Sequence, residues 1–364
     1  MKHVSFLIIA TAFFTSVVNA QIAEPTVLCP LPTVLHESSG IEIQHANSIW
    51  THNDSGDSAR IFNIDTLGNI LRSVYFNVDT AVDCEESTRD AAGNYYLGDF
   101  GNNLNNRTNL RIYKIPDPDT TTADTVVPQL ITFRYPDQTA FPPDSTLLNF
   151  DCEAMFHFHD SLYLFSKNRG TSTFCRMYRL PDQPGDYVAE LVDSFNTGSW
   201  VTSADISPSG QNMVLLSESR LWLFTDITGS DFFGGNLHSI SMYTTQKEAV
   251  VFVNDSLIYM TDEYFLGYGG KLYKLDLRSW YNGLSEFSES ETLNIFPNPA
   301  NDVVHINFPQ SDCDFIITVL NIEGRKMLEE KNKTHIDISA LNSGLYFIQV
   351  SAENRIYSGV LEKE

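Results

Sequence analysis

Short apolar or alternating runs separated by turn residues fill most of the chain, and helical periodicity is almost absent between residues 27 and 287. That pattern predicts an all-β protein. A repeat underlies it. Each unit opens with an acid on a short strand: Glu42, Glu85, Glu153, Asp205 and Glu248. An apolar strand follows, containing Ile49-Trp50, Tyr95-Tyr96-Leu97, Leu162-Tyr163-Leu164, Met213-Val214-Leu215 or Leu257-Ile258-Tyr259. The third strand sets an aromatic among aliphatics, as in Ile61-Phe62-Asn63-Ile64, Ile112-Tyr113-Lys114-Ile115, Met177-Tyr178-Arg179-Leu180, Leu221-Trp222-Leu223 and Leu272-Tyr273-Lys274-Leu275. A fourth strand completes the first four units.

Five units of about 50 residues match the blades of a β-propeller, which predicts a five-bladed β-propeller over residues 27–280. The fifth unit lacks a last strand, while residues 26–35 offer an unassigned one. Pairing the two would close the ring and hide both edges. The insertion at residues 116–149, rich in Pro, Asp and Thr, makes six blades the alternative count. A two-sheet sandwich is the structural runner-up, although it gives no reason for a fixed repeat. A polar linker is expected at residues 281–292. Beyond it, strands at residues 303–308, 315–320, 336–338 and 345–350 predict a small Ig-like β-sandwich over residues 293–364.

Residues 1–20 read as a secretory signal peptide: Lys2 and His3 precede an apolar stretch, and Val18-Asn19-Ala20 offers a small-residue cleavage site. No later run is long enough for a membrane span, so no transmembrane segment is expected after signal removal. Losing Lys2 takes the formal charge from −23 to −24. Such a charge repels phosphate backbones and excludes nucleic acid as a partner. Five cysteines match no zinc or redox spacing, and buried free thiols are the better expectation; Cys84 and Cys152 occupy equivalent repeat positions, which leaves one bridge open.

Three blocks near the C-terminus carry a family resemblance: Asn294-Ile295-Phe296-Pro297-Asn298-Pro299-Ala300-Asn301-Asp302, then Val319-Leu320-Asn321-Ile322-Glu323-Gly324-Arg325-Lys326, then residues 336–350 around Ser343-Gly344-Leu345-Tyr346. In this order they resemble the type A C-terminal sorting domain of the type IX secretion system of Bacteroidetes. The resemblance implies export through that machinery by residues 293–364, and a protein secreted or displayed on the cell surface, on the outer membrane exterior. It implies nothing about what the cargo does.

Candidate chemistry gathers where the repeats begin. Asp83 with Glu85, and Asp151 with Glu153, share a strand face while Cys84 and Cys152 point the other way. Second strands end in polar residues each time: Asn53-Asp54, Asp99, Lys167-Asn168, Glu218 and Asp262-Glu263. In a propeller these ends and the first-strand starts meet on one rim around the channel. Carboxylates about 4 Å apart repel by about 4 kcal/mol at an effective dielectric of 20, so they must hold a cation, share protons or pair with a base. Hard oxygen donors in an extracellular protein point to calcium, with Asp83, Glu85, Asp99, Asp151, Glu153, Asp205, Glu248 and Asp262 as candidate metal ligands. Lys167, Arg169 and Lys247 are the competing bases. The first domain also resembles, more loosely, secreted phytase-like and esterase-like-phytase propellers, through Asp83-Cys84-Glu85, Gly98-Asp99-Phe100-Gly101-Asn102-Asn103, Asp151-Cys152-Glu153-Ala154, Ser166-Lys167 and residues 204–210. That resemblance implies a calcium and phosphate centre around Asp83, Glu85, Asp99, Asp151, Glu153 and Lys167. The departure is basic content, only 16 Lys and Arg in residues 21–288.

The leading expectation is a binding module whose acidic rim takes a cation and an extracellular small molecule or glycan. The alternative is a calcium-dependent phosphoesterase with Glu85, Glu153 and Lys167 as candidate catalytic residues. A glycosidase using paired rim carboxylates stands behind both. His45, His52, His157 and His159 are weaker candidates, and Asn53-Asp54-Ser55-Gly56-Asp57 reads as an ordinary turn.

Overall fold

The computed structural model describes residues 22–45, 47–78, 81–281, 293–307, 315–321, 325–352 and 355–364. The expected signal peptide, Cys313 and nearly all of the expected linker lie outside them. Two compact units divide the chain, residues 1–283 and 284–364.

The first unit is an all-β, propeller-like ring. In chain order its innermost strands are Ser38–His45, Cys84–Arg89, Asp151–Phe158, Ser203–Ile206 and Lys247–Asn254. Each is followed by a second and a third strand in antiparallel order. The innermost strands touch their neighbours in a closed cycle, the fifth returning to the first. Between successive sheets lies an apolar cluster, because both faces of every sheet are covered and its strands read apolar on both sides. Trp50, Ile61, Tyr95 and Tyr113 fill the first such gap, Tyr96, Phe100, Met155 and Tyr178 the second, and Phe156, Phe165, Trp222 and Phe232 the third. Val214, Leu223, Met260 and Tyr273 fill the fourth, and Ile41, Phe62, Val251 and Tyr259 close the circle between the fifth sheet and the first. The third-strand aromatics Phe62, Tyr113, Tyr178, Trp222 and Tyr273 are all buried in these gaps. Each contributes about 1.5–3 kcal/mol by leaving water.

Outer edges are covered by chain from elsewhere. Thr26–Pro30 pairs antiparallel with Lys271–Asp276, supplying the fifth sheet with the fourth strand its own segment lacks. Ile22–Ala23 adds in parallel to Asn236–Met242 of the fourth sheet. Thr125–Val126 and Gly185–Val188 likewise extend the first and second sheets. Residues 116–149, where a sixth blade was the alternative, form no sheet of their own among the described residues: Gln129–Arg134 is the fourth strand of the second sheet. Asp117 and Asp119 staple that insertion to the innermost strand of the second sheet by ion pairs with Arg89 at 3.0 and 3.3 Å.

The second unit packs a three-stranded sheet (Asn294–Phe296, Val303–Asn307, His335–Asp337) and a four-stranded one (Lys326–Lys331, Phe315–Asn321, Gly344–Ala352, Arg355–Lys363) on one core. Val304, Ile306, Ile317, Val319, Ile336 and Ile348 form its centre. The alternation is apolar-in and polar-out, as sheets with one solvated face require.

Candidate functional site

Four of the five innermost strands carry a bulge near their start, where two residues oppose one on the second strand. The extra residue is Ser39, Glu85, Glu153 or Glu248, and in the fourth sheet Thr202 and Ser203 both face Leu216. A bulge re-aims its side chain. Glu85, Glu153 and Glu248 therefore stand at one level of the channel, with Ser39 and Thr202 in the remaining two places. Glu42 and Asp205 lie three residues further along their strands. They interact with each other there, and both line a cavity of about 940 Å³ together with Thr88, His157 and Phe252. The five repeat acids thus form two levels instead of the single ring expected, because matching acid to acid ignores the bulge that sets the register.

At the first level the carboxylates of Asp54, Asp83 and Glu85 bring one oxygen each within 4.8 Å of the others. Asp54 comes from the turn after Ser48–Asn53, and Asp83 and Glu85 from the start of the second sheet. Gly101 makes room for them: a Cβ there would lie 2.0 Å from Glu85 Oε1 and 2.6 Å from Asp83 Oδ2. Burial, then the charge of Asp83, pushes Asp54 up to about 7. Burial, then Glu153, Asp54 and Asp151, pushes Glu85 well above the carboxylate range. Burial raises Asp83 as well, against the pull of Arg107. Asp54 and Asp83 stand side by side, so the charge of Asp83 favours a proton on Asp54 when no cation separates them.

Beside this trio, Arg169 Nε lies 2.6 Å from Asp151 Oδ2 and a terminal nitrogen lies 3.0 Å from Glu153 Oε1. Lys167 Nζ donates to Glu153 Oε2 at 3.0 Å. Burial and Glu153 still lift Asp151 to about 8. Burial works against the Lys167 ammonium, but Glu153 and Glu248 outweigh it and hold the group above its usual range. Glu248, up to about 8, and Glu263, up to about 7, are raised first by burial. Asp54, Asp83, Glu85, Asp151, Glu153, Glu248 and Glu263 thus crowd one mouth, with Lys167, Arg169 and Arg107 as the cations among them. Hard oxygens on separate loops are the donor set calcium takes.

Several sequence-predicted ligands are occupied elsewhere. Asp99 is buried in ion pairs with Arg107 and Arg111, both at 2.8 Å, and accepts from the Tyr113 hydroxyl and the Asp83 N–H. It clamps the second sheet and has no oxygen left for a metal. Asp262 accepts from Lys271 N at 2.9 Å and the Tyr273 hydroxyl at 2.7 Å, again within its own sheet. Asp205 accepts from Phe252 N at 2.6 Å, away from the first level. The His45 side chain falls outside the described residues. His52 is buried and held near 4 by desolvation. His157 pairs with Asp182 at 3.0 Å, and the neighbouring Asp90 accepts from Ala92, Asn94 and Tyr96, so that acid group is used up by its own loop. Cys29, Cys84, Cys152 and Cys175 are free and buried. Lys247 donates to carbonyls of Tyr243 and Glu218 instead of a carboxylate. The ordinary-turn reading of residues 53–57 holds for Asp57, bound to Arg60 and Asn53, but not for Asp54. Arg107 gave no sequence signal, being a lone base in a polar loop.

Residues 294–361 match the family described as the secretion system C-terminal sorting domain. The tail is a type IX sorting domain, and the protein is secreted or held at the cell surface. No described helix is long and apolar enough to cross a membrane. No curated protein matches the chain in sequence. Among solved structures, the extracellular domain of a one-component system from B. thetaiotaomicron is similar at 9% identity and a TM-score of 0.32, covering 90% of this chain; the chain spans 57% of that one's length. The PQQ-bound aldose sugar dehydrogenase of Streptomyces coelicolor is similar at 10% identity and a TM-score of 0.40, over 71% of this chain and 98% of that one. The WD40 repeats of RRP9 are similar at 10% identity and a TM-score of 0.34, over 66% and 67%.

Proposed function

We propose that the first unit is a five-bladed β-propeller, exported behind a cleaved signal peptide, that binds a divalent cation, calcium, at Asp54, Asp83 and Glu85 and takes an extracellular ligand at the same mouth. The Ig-like second unit engages the type IX secretion machinery, which displays or releases the protein. One observation carries the cation reading: three carboxylates from two separate segments lie within 4.8 Å of one another, backed by a glycine whose side chain would displace them. Burial makes that arrangement costly as a set of bare anions. A calcium ion would remove the cost and leave positions open for an oxygen-bearing ligand. Calcium titration followed by melting temperature tests it: binding should raise the midpoint, and Asp83→Asn should abolish the rise. No calcium-dependent shift in the native protein would remove the reading.

A second reading, phosphoester hydrolysis, draws on Lys167 and Arg169 standing beside the trio, where they can meet an anionic substrate. The cation would polarise the phosphoryl group, and Glu153 would take the proton of the attacking water. Calcium-dependent release of phosphate from a phosphoester panel, lost in Glu153→Gln, would establish it; no turnover leaves the binding module.

A further inference from the structure

Trp200 stands at the rim of the acidic mouth with 48% of its surface exposed, although its position is rigidly built. Its indole N–H donates to the Asn168 carbonyl at 2.7 Å, which ties it to the turn that carries Lys167 and Arg169. The Arg169 guanidinium carbon lies 5.0 Å from the ring centroid and Lys167 Nζ lies 5.8 Å from it. Backed in this way, the ring keeps one orientation in water. Beside it opens a cleft of about 230 Å³, lined by Ser199, Trp200, Glu218 and Ser219. Glu218 forms no ion pair among the described residues, and its charge contributes to the raised affinity of Glu248, which places it at the mouth. Lys247 Nζ donates to the carbonyls of both Glu218 and Tyr243, so the exposed Tyr243 is pinned next along the rim.

We propose that this cleft is a saccharide-binding subsite, in which a neutral sugar ring stacks on Trp200 and gives its hydroxyls to Glu218, Ser199 and Ser219, with Tyr243 next along an extended chain. A pyranose has an apolar C–H face bounded by hydroxyls, and a fixed aromatic face flanked by a carboxylate and two serines complements both halves. An organic cation fits less well, since Arg169 and Lys167 already take up the electron-rich ring and would repel another charge placed on it. A purely apolar ligand would strand Glu218 and the serines without water. The inference rests on reading the acidic mouth as a ligand site and names the chemical class of that ligand.

The test is calorimetric titration of the mature protein with neutral hexasaccharides of glucose, mannose and xylose, each run with calcium and again with chelator. At least one should bind. Trp200→Ala should weaken it by at least about tenfold, as loss of a central aromatic anchor does, while Trp200→Phe retains most of the affinity. Glu218→Gln should weaken it without changing the melting temperature. Failure of every hexasaccharide to bind below about 10 mM would overturn the proposal, as would binding indifferent to Trp200→Ala. Trp200-dependent binding of spermidine in place of any sugar would overturn it in favour of a cation site. Saccharide binding that persists in chelator, with no calcium bound, keeps the subsite and removes the cation; calcium binding with no saccharide does the reverse.

Discussion

Gly101 leans on Glu85: a single carbon added to the glycine would stand 2.0 Å from the carboxylate oxygen Oε1. The second sheet's loop is thereby cut to the shape of the acid it covers. Because the clashing atoms belong to the carboxylates of Glu85 and Asp83, Gly101→Ala can be relieved by swinging both away. We expect the variant to lose less than about 1 kcal/mol of stability but about tenfold in calcium affinity. Paired urea unfolding and calcium titration check both.

Without a cation, stability should fall as pH rises from 5 to 8. Asp54, Asp205 and Glu263 near 7, and Asp151 and Glu248 near 8, hold protons in the folded state that the unfolded chain has released by about pH 5. Groups raised on folding stabilise fully below their unfolded values, and that contribution is lost as pH climbs through the folded ones. His52, lowered to about 4, acts oppositely below about pH 6.5, as a single group against five. In chelator the melting temperature should drop by about 5–10 °C across this range, and saturating calcium should flatten the slope. Scanning calorimetry at four pH values reads both.

Glu248→Gln and Asp99→Asn should move stability in opposite directions at pH 8 in chelator. Glu248 is a buried carboxyl opposed mainly by Lys167, so the neutral amide should stabilise by about 1 kcal/mol. Asp99 pairs with Arg107 and Arg111, and removing its charge breaks two ion pairs to a buried carboxylate, at a cost of about 3 kcal/mol. Urea midpoints of the two variants give the signs.

Deleting residues 22–30 should open the ring. Lys271–Asp276 would lose its antiparallel partner and become a bare edge, and Asn236–Met242 would lose its parallel one. The truncated protein is expected to aggregate on refolding, whereas the full chain elutes as one species in size-exclusion chromatography.

Much of the ring was legible because its signals are local. The aromatic of each third strand falls where an inter-sheet gap must be filled, and the missing last strand of the fifth unit pointed to the apolar segment at residues 26–30 that pairs there. Site positions were less legible because they depend on register. The extra residue at Glu85, Glu153 and Glu248 is invisible in composition, so Glu42 and Asp205 fell into the wrong level. Asp99 and Asp262 looked like rim ligands until their partners appeared one strand away, Arg111 and Tyr113 for the first, Lys271 and Tyr273 for the second. Asp54 hid inside a turn motif that its neighbour Asp57 does satisfy.

Metal analysis with calcium calorimetry on protein purified without chelator addresses the central claim most directly. The account predicts calcium binding that disappears in both Asp83→Asn and Glu85→Gln and survives in Asp262→Asn. Protein that neither retains nor takes up calcium, or a site lost only in Asp262→Asn, would contradict it.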